Sequence, residues 1–373
     1  MPDLRPNPRS VARAMMQQAL LLLTVLGLAG CASIGPGTVT RDRFDYTTAV
    51  AESWKSQMLL NLVKLRYGDT PVFLDVGQII SGYTVETAFS ASGTLFNTSG
   101  VVPGVPDSSV GLGAQGRYTD RPTITYAPLV GERFARAMMT PLPPPAILSL
   151  IQAGYPVDAV LRLTVHEVNG LRNRYGGDLR ARPADPEFYA LLRHLRRIQA
   201  AGGIGLRVQR TDRGETILMT LRQQVDAATA AAIFAVRQLL GLDPAAQDIR
   251  VVYGSIAAND QELAILSRSI LEILVDLSSL ISVPEAHVLA RRVGATPTDE
   301  ADAEGPPRPL VRIGSSAERP GDAFAVVRYR GHWFAIDDHD MPSKRLFTFL
   351  MFIFTLVETS SKEGAPVVTI PAQ

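Results

Sequence analysis

The chain has 373 residues, 46% hydrophobic and 20% charged, a balance that supports a buried core and excludes an intrinsically disordered protein. Lys and Arg total 37 against 36 Asp and Glu, giving a formal net charge of +1. Nucleic-acid binders carry a basic excess, so no nucleic-acid partner is expected. One cysteine, Cys31, excludes an internal disulfide.

Arg5, Arg9 and Arg13 precede Ala19–Ala29, an apolar run of about 11 residues, which is the length of a secretory signal core. A spanning helix needs about 20 apolar residues, so export rather than a transmembrane anchor is expected. The run ends in Leu28-Ala29-Gly30-Cys31, which resembles the lipobox of bacterial lipoproteins. The resemblance covers the signal and lipobox alone. It implies diacylglycerol on the Cys31 sulfur, cleavage before it, and acylation of the new amino group by a chain such as palmitate. No thiol then remains for metal or nucleophilic chemistry. Two or more acyl chains, at about 0.8 kcal/mol per buried methylene, give stable anchoring. Ala32 rather than Asp after the cysteine implies, by the same resemblance, sorting to the outer membrane. The expected location is therefore the cell envelope, lipid-anchored and facing the periplasm.

On this reading residues 1–30 are a removed signal peptide and 31–44 a lipidated tether. The tether is small-residue-rich and unpatterned, and a segment of ~10 such residues has an r.m.s. span of roughly 15–20 Å. The next region, 45–140, combines a helix with a long amphipathic hairpin. The helix opens at Asp45 and carries Trp54, Leu59, Leu60, Val63 and Leu65 to a stop at Gly68. Pro71–Val76 reads as a buried strand.

From Tyr83 the sequence alternates. Tyr83, Val85, Phe89, Ala91 and Leu95 fall on one face, and Thr84, Glu86, Ser90, Ser92 and Thr94 on the other. Asn97–Asp107, with two glycines and two prolines, is a loop. Alternation resumes with Val110, Leu112, Ala114 and Tyr118 against Ser109, Gly113, Gln115 and Arg117, and the chain returns through Thr123–Tyr126. Two uses of this hairpin stay open. Its apolar side packs on the protein's own core, a common use of antiparallel strands. Alternatively, several copies each contribute a hairpin (83–126) to an oligomeric outer-membrane pore or secretion component. A membrane strand of about 9–11 alternating residues fits its length, whereas Asp120 and Arg121 interrupt it.

Residues 141–293 read as an α/β region containing a ferredoxin-like β-α-β-β-α-β unit. Its expected elements are a strand at Ala159–Val165, a helix at Pro186–Ala201, and strands at Ile204–Gln209 and Thr216–Leu221. A helix capped by Asp226 and a strand at Ile249–Tyr253 complete it. An apolar helix follows from Asn259-Asp260, with Leu266, Ile270, Ile273, Leu277 and Leu280 on one seam. Residues 294–309 are a linker or exposed loop, and 310–373 a small hairpin-helix-strand unit. The expected fold class is α+β.

No motif names a reaction. Gly111-Leu112-Gly113-Ala114-Gln115-Gly116 has dinucleotide-binding spacing, but lies inside a period-2 strand where the motif needs a strand-to-helix turn. Asp337, Asp338 and His339, with Asp340, could ligate a divalent ion, but match no metal spacing; capping of the helix near Pro342 explains the acids more simply. The arginines around His194 fit a solvated helix face. The expected function is a non-catalytic structural, assembly or partner-binding role in the envelope, without a cofactor. Its partners are the membrane, through the lipid, and envelope proteins or its own copies. The alternatives are the pore and a periplasmic metal-dependent hydrolase.

Overall fold

A computed structural model of the chain describes residues 36–80, 83–95, 108–120, 123–177, 181–211, 214–222, 224–297, 309–358 and 368–371. The fold is mixed α+β. The chain divides into two compact units, Met1–Trp54 and Lys55–Gln373. In the first, the described residues form the opening turns of helix α1 (Pro36–Arg66). Cys31 and the signal segment lie outside the described residues.

In the second unit the last turns of α1 bury Leu59, Leu62, Val63 and Arg66, the i, i+3, i+4, i+7 stripe of a core-facing helix. Strands β1 (Phe73–Ile80), β2 (Tyr83–Leu95), β3 (Ser108–Asp120) and β4 (Thr123–Leu129) follow. They form an antiparallel ribbon in which β1 pairs β4 and β2 pairs β3. Helix α2 (Glu132–Met139) leads from the ribbon into the α/β body.

The body starts with helices α3 (Pro144–Gln152) and α4 (Val157–Thr164), strands β5 (Val165–Val168) and β6 (Leu171–Arg172), and helix α5 (Pro186–Ala200). Strands β7 (Ile204–Thr211) and β8 (Gly214–Leu221) follow, then helix α6 (Ala227–Leu240) and strands β9 (Asp248–Tyr253) and β10 (Glu262–Ser267). Their sheet has the order β6-β5-β10-β9-β8-β7, with α5 packed on α6 and on α4. β9 and β10 pair in parallel, and the other neighbours are antiparallel. Helices α7 (Ile270–Ser279) and α8 (Glu285–Leu289) complete the body.

Beyond it come β11 (Gly314–Ser316), β12 (Ala323–Tyr329) and β13 (His332–Asp337), in the order β11-β13-β12, and helix α9 (Met341–Glu358). Arg330 and Gly331 join β12 to β13 with φ of 46° and 88°, the two left-handed residues of a type I′ turn. The last strand, β14 (Val368–Pro371), returns to pair β4, so the ribbon's base is a three-stranded sheet, β1-β4-β14.

Several elements differ from the sequence reading. Helix α1 begins at Pro36, not Asp45, so the expected tether is helical over its second part; proline is well suited to open a helix. Ala159–Val165, expected as a strand, lies largely in α4. There Val157, Val160, Leu161 and Thr164 repeat at helical spacing on its buried side. The helix expected from Asn259 is split: Glu262–Ser267 is β10, and α7 starts only at Ile270 behind a Ser269 capping box. A strand buried between two others reads as a continuous apolar run, which periodicity cannot separate from a buried helix. In place of the expected β-α-β-β-α-β unit, β6 follows β5 before α5, and β10 and β9 stand between β5 and β8 in a six-stranded sheet.

Candidate assembly interface

The ribbon is rooted firmly at one end. Gln57 and Asn61, one turn apart on α1, hold the start of β1 through paired side-chain to backbone bonds. Asn61 Oδ1 accepts from Val72 N at 2.9 Å, and its Nδ2 donates to Val72 O at 2.8 Å. Gln57 does the same to Leu74, at 2.7 and 2.9 Å. Between them Phe73 is buried, its ring centroid 4.5 Å from Phe354 of α9 and 6.1 Å from Phe134 of α2. Two primary amides thus act as a surrogate strand edge, and a phenyl ring fixes the face.

From this root the ladder runs outward. After an irregularity between Val76 and Gln78, Gln78 pairs Thr125 and Ile80 pairs Thr123. Tyr83 then pairs Asp120, and the same register holds through thirteen consecutive pairs to Leu95 with Ser108. Directly opposite residues of an antiparallel pair share a face. The register therefore sets Val85 with Tyr118, Phe89 with Ala114, Ala91 with Leu112 and Gly93 with Val110 on one side. On the other it sets Glu86 with Arg117, Ala88 with Gln115, Ser90 with Gly113, Ser92 with Gly111 and Thr94 with Ser109. Ser90, Gly113 and Gln115 on this second side are exposed. Among the described residues β2 and β3 form a sheet of their own, each pairing with no third strand. Gly111 to Gly116 lie within β3, a strand continuing toward β4, and not at a strand-to-helix turn.

The Asp337–Asp340 acids are each bound to a different group. Asp337 Oδ1 accepts from His339 N at 2.8 Å, and Asp338 Oδ1 pairs Lys344 Nζ at 2.7 Å. Asp340 caps α9, accepting from Ser343 N at 3.2 Å and Ser343 Oγ at 2.8 Å. The hydrogen bonds from His339 and from Lys344 hold the Asp337 and Asp338 carboxyls, respectively, below the usual carboxylate range. Among the described residues no group of three or more His, Cys, Asp or Glu converges to hold a metal. His339 is exposed beside Asp337, and His194 lies half-buried on α5.

Two buried polar clusters were not legible as motifs. In the first, fully buried Arg268 donates from Nη1 to Asp276 Oδ2 at 3.0 Å, and from the same atom to Arg162 O at 3.2 Å. Its guanidinium also bonds Arg174 O and stands over the Tyr175 ring. Asp276 Oδ1 accepts from Gly176 N at 2.6 Å and Arg174 Nη1 at 3.3 Å. The cluster ties the segment after β6 to α7. Beside it Glu272 joins His166 (3.2 Å) to Ser269 (3.0 Å), but Ser269 is the helix N-cap and meets the carboxylate, not the imidazole. A serine nucleophile needs the imidazole beside its hydroxyl, so this is a cap and not a triad.

In the second cluster Tyr67 Oη and His287 Nδ1 are 2.7 Å apart, and the His287 and His332 rings meet edge to face at 4.8 Å. Burial, then His332, Arg292 and Arg330, hold the His287 imidazole below the usual histidine range. Burial raises the Tyr67 phenol despite Arg330 and Arg66 nearby. A neutral tyrosine and a neutral histidine here join α1, α8 and the β12–β13 hairpin.

Comparison of the chain with family models, curated proteins and solved structures finds no match.

Proposed function

We propose that the chain is a lipid-anchored envelope protein that works by assembly, without chemistry of its own. One observation carries this reading: a rooted ribbon of thirteen in-register pairs that joins no third strand among the described residues. A two-stranded hairpin is marginally stable at best in water, and an unpaired edge is a template for another strand. Such an element is costly to maintain unless a partner covers it, whether an envelope protein or a second copy. The buried clusters support the non-catalytic side of the proposal, since the Asp276 carboxylate is taken up by Arg268, Arg174 and Gly176 N, and Ser269 caps α7 with Glu272.

Anchoring belongs to the same proposal. Lipid on Cys31 would hold the chain to the outer membrane, facing the periplasm. Among the described residues no helix is long and apolar enough to cross a membrane, α9 included.

A photo-crosslinking residue at Ser90 or Gln115, both exposed, tests the assembly reading in intact cells. Discrete adducts in the envelope fraction, absent for a crosslinker at exposed Leu289 on α8, are expected. Absence of any adduct at either ribbon position would remove the proposal.

A further inference from the structure

We infer that the ribbons of several copies of this chain pair edge to edge into one closed β-barrel, crossing the membrane at Thr87–Leu95 and Ser108–Gly116 and enclosing an aqueous path for small hydrophilic solutes. The inference rests on the assembly reading above and names its partner as the chain itself.

Charge placement sets the span. On the two strands the charged residues are Glu86, Arg117 and Asp120, all in the part nearest the root. Glu86 and Arg117 are directly opposite one another. Beyond them nine consecutive pairs, Thr87 with Gly116 to Leu95 with Ser108, hold no charged residue. A membrane β-strand needs about 9–11 residues, tilted and alternating in character. The uncharged stretch has that length and alternation. One face carries Phe89, Ala91, Leu112 and Val110; the other carries Ser90, Ser92, Gly113 and Gln115. The first suits lipid and the second an aqueous lumen.

The edges select the occupant. Lipid cannot hydrogen-bond the free backbone groups of an open ribbon, so only closure permits insertion. One ribbon offers two different edges, the outer side of β2 and the outer side of β3. Pairing β3 of one copy with β2 of the next is head-to-tail, and such contacts close into a ring when the rotation allows. In that ring each copy adds one Glu86 and one Arg117 to the rim nearest the folded body, with opposite charges alternating around it. The sheet twist and strand tilt fix how many copies close the ring.

The test uses the full chain, purified in detergent and reconstituted into vesicles of phosphatidylcholine and phosphatidylglycerol. Wild-type protein is expected to give discrete conductance steps in a planar bilayer, and Ser90 crosslinks at multiples of its own mass. Ala91→Arg, on the apolar face, should lower vesicle permeability by about tenfold or more. Ser92→Arg, on the polar face, should keep the conductance and shift ion selectivity toward anions. Both variants lie beyond the root, and an unchanged body melting temperature confirms that they fold. Absence of conductance by the wild type, or equal permeability of Ala91→Arg and wild type, overturns the barrel. Ser90 adducts to a different protein without conductance would overturn the barrel yet leave the assembly reading standing, whereas no adducts at all would remove both.

Discussion

Arg268 and Asp276 form an ion pair from which water is shut out, with Nη1 3.0 Å from Oδ2 and both side chains at most 3% exposed. Removing one partner of such a pair leaves the other charged and unpaired in the core, at a cost of about 3–5 kcal/mol. Asp276→Ala is expected to lose that much, because it also frees Gly176 N and Arg174. Replacing both, as Arg268→Met with Asp276→Leu, should cost less than the sum of the single changes. Urea titrations of the four proteins form the double-mutant cycle that checks this.

Acid should weaken the body well before its carboxylates protonate. Burial, followed by the nearby His332, Arg292 and Arg330, depresses the His287 pKa. Burial and Arg268 do the same to His166, with Glu272 opposing. The unfolded chain therefore binds these protons more readily than the native one. Their stabilising contribution is complete above about pH 6.5 and declines as pH falls below it. Urea midpoints should drop between pH 7.5 and pH 5.5, and His287→Gln should flatten that slope. A midpoint independent of pH in this window would contradict the assignment.

The root of the ribbon should be sensitive to a single amide. Asn61 is 1% exposed and makes both of its bonds to Val72. Asn61→Leu leaves a backbone donor and acceptor without partners, and is expected to cost about 1–3 kcal/mol for each group that stays buried. Asp340→Ala, which removes the α9 cap, should cost only about 1 kcal/mol. Thermal melts of the two variants against wild type rank these effects.

Cys31→Ser tests the anchor separately from the ribbon. If lipid alone sets location, the variant should leave the membrane fraction on cell fractionation. Retention of Cys31→Ser in the membrane, with release only when residues 83–120 are also removed, would assign a second attachment to the ribbon.

Much of this was legible where local pattern and burial agree. The period-2 alternation that starts at Tyr83 and resumes around Val110 falls on the paired strands β2 and β3. Asp226 was legible as a cap, and accepts from Thr229 N at 3.0 Å. Where a strand is buried on both faces, as in Glu262–Ser267, its apolar run copies that of a helix, and the β10–α7 boundary was lost. The Arg268–Asp276 and Tyr67–His287 pairings depend on tertiary closure, the second across 220 residues. Their one local signal is a lone charge set in an apolar run, as Asp276 is between Val275 and Leu277.

The most direct measurement removes the ribbon and leaves its root. In a chain where a short Gly-Ser turn replaces residues 83–120, Phe73, Gln57 and Asn61 keep every contact described above. If the ribbon is an assembly element, this protein melts within about 2–4 °C of wild type, while its mass in detergent, by light scattering, falls from that of a multi-copy or mixed complex to that of one chain. A protein that fails to fold without the ribbon, or one whose mass in detergent matches wild type, would contradict the account.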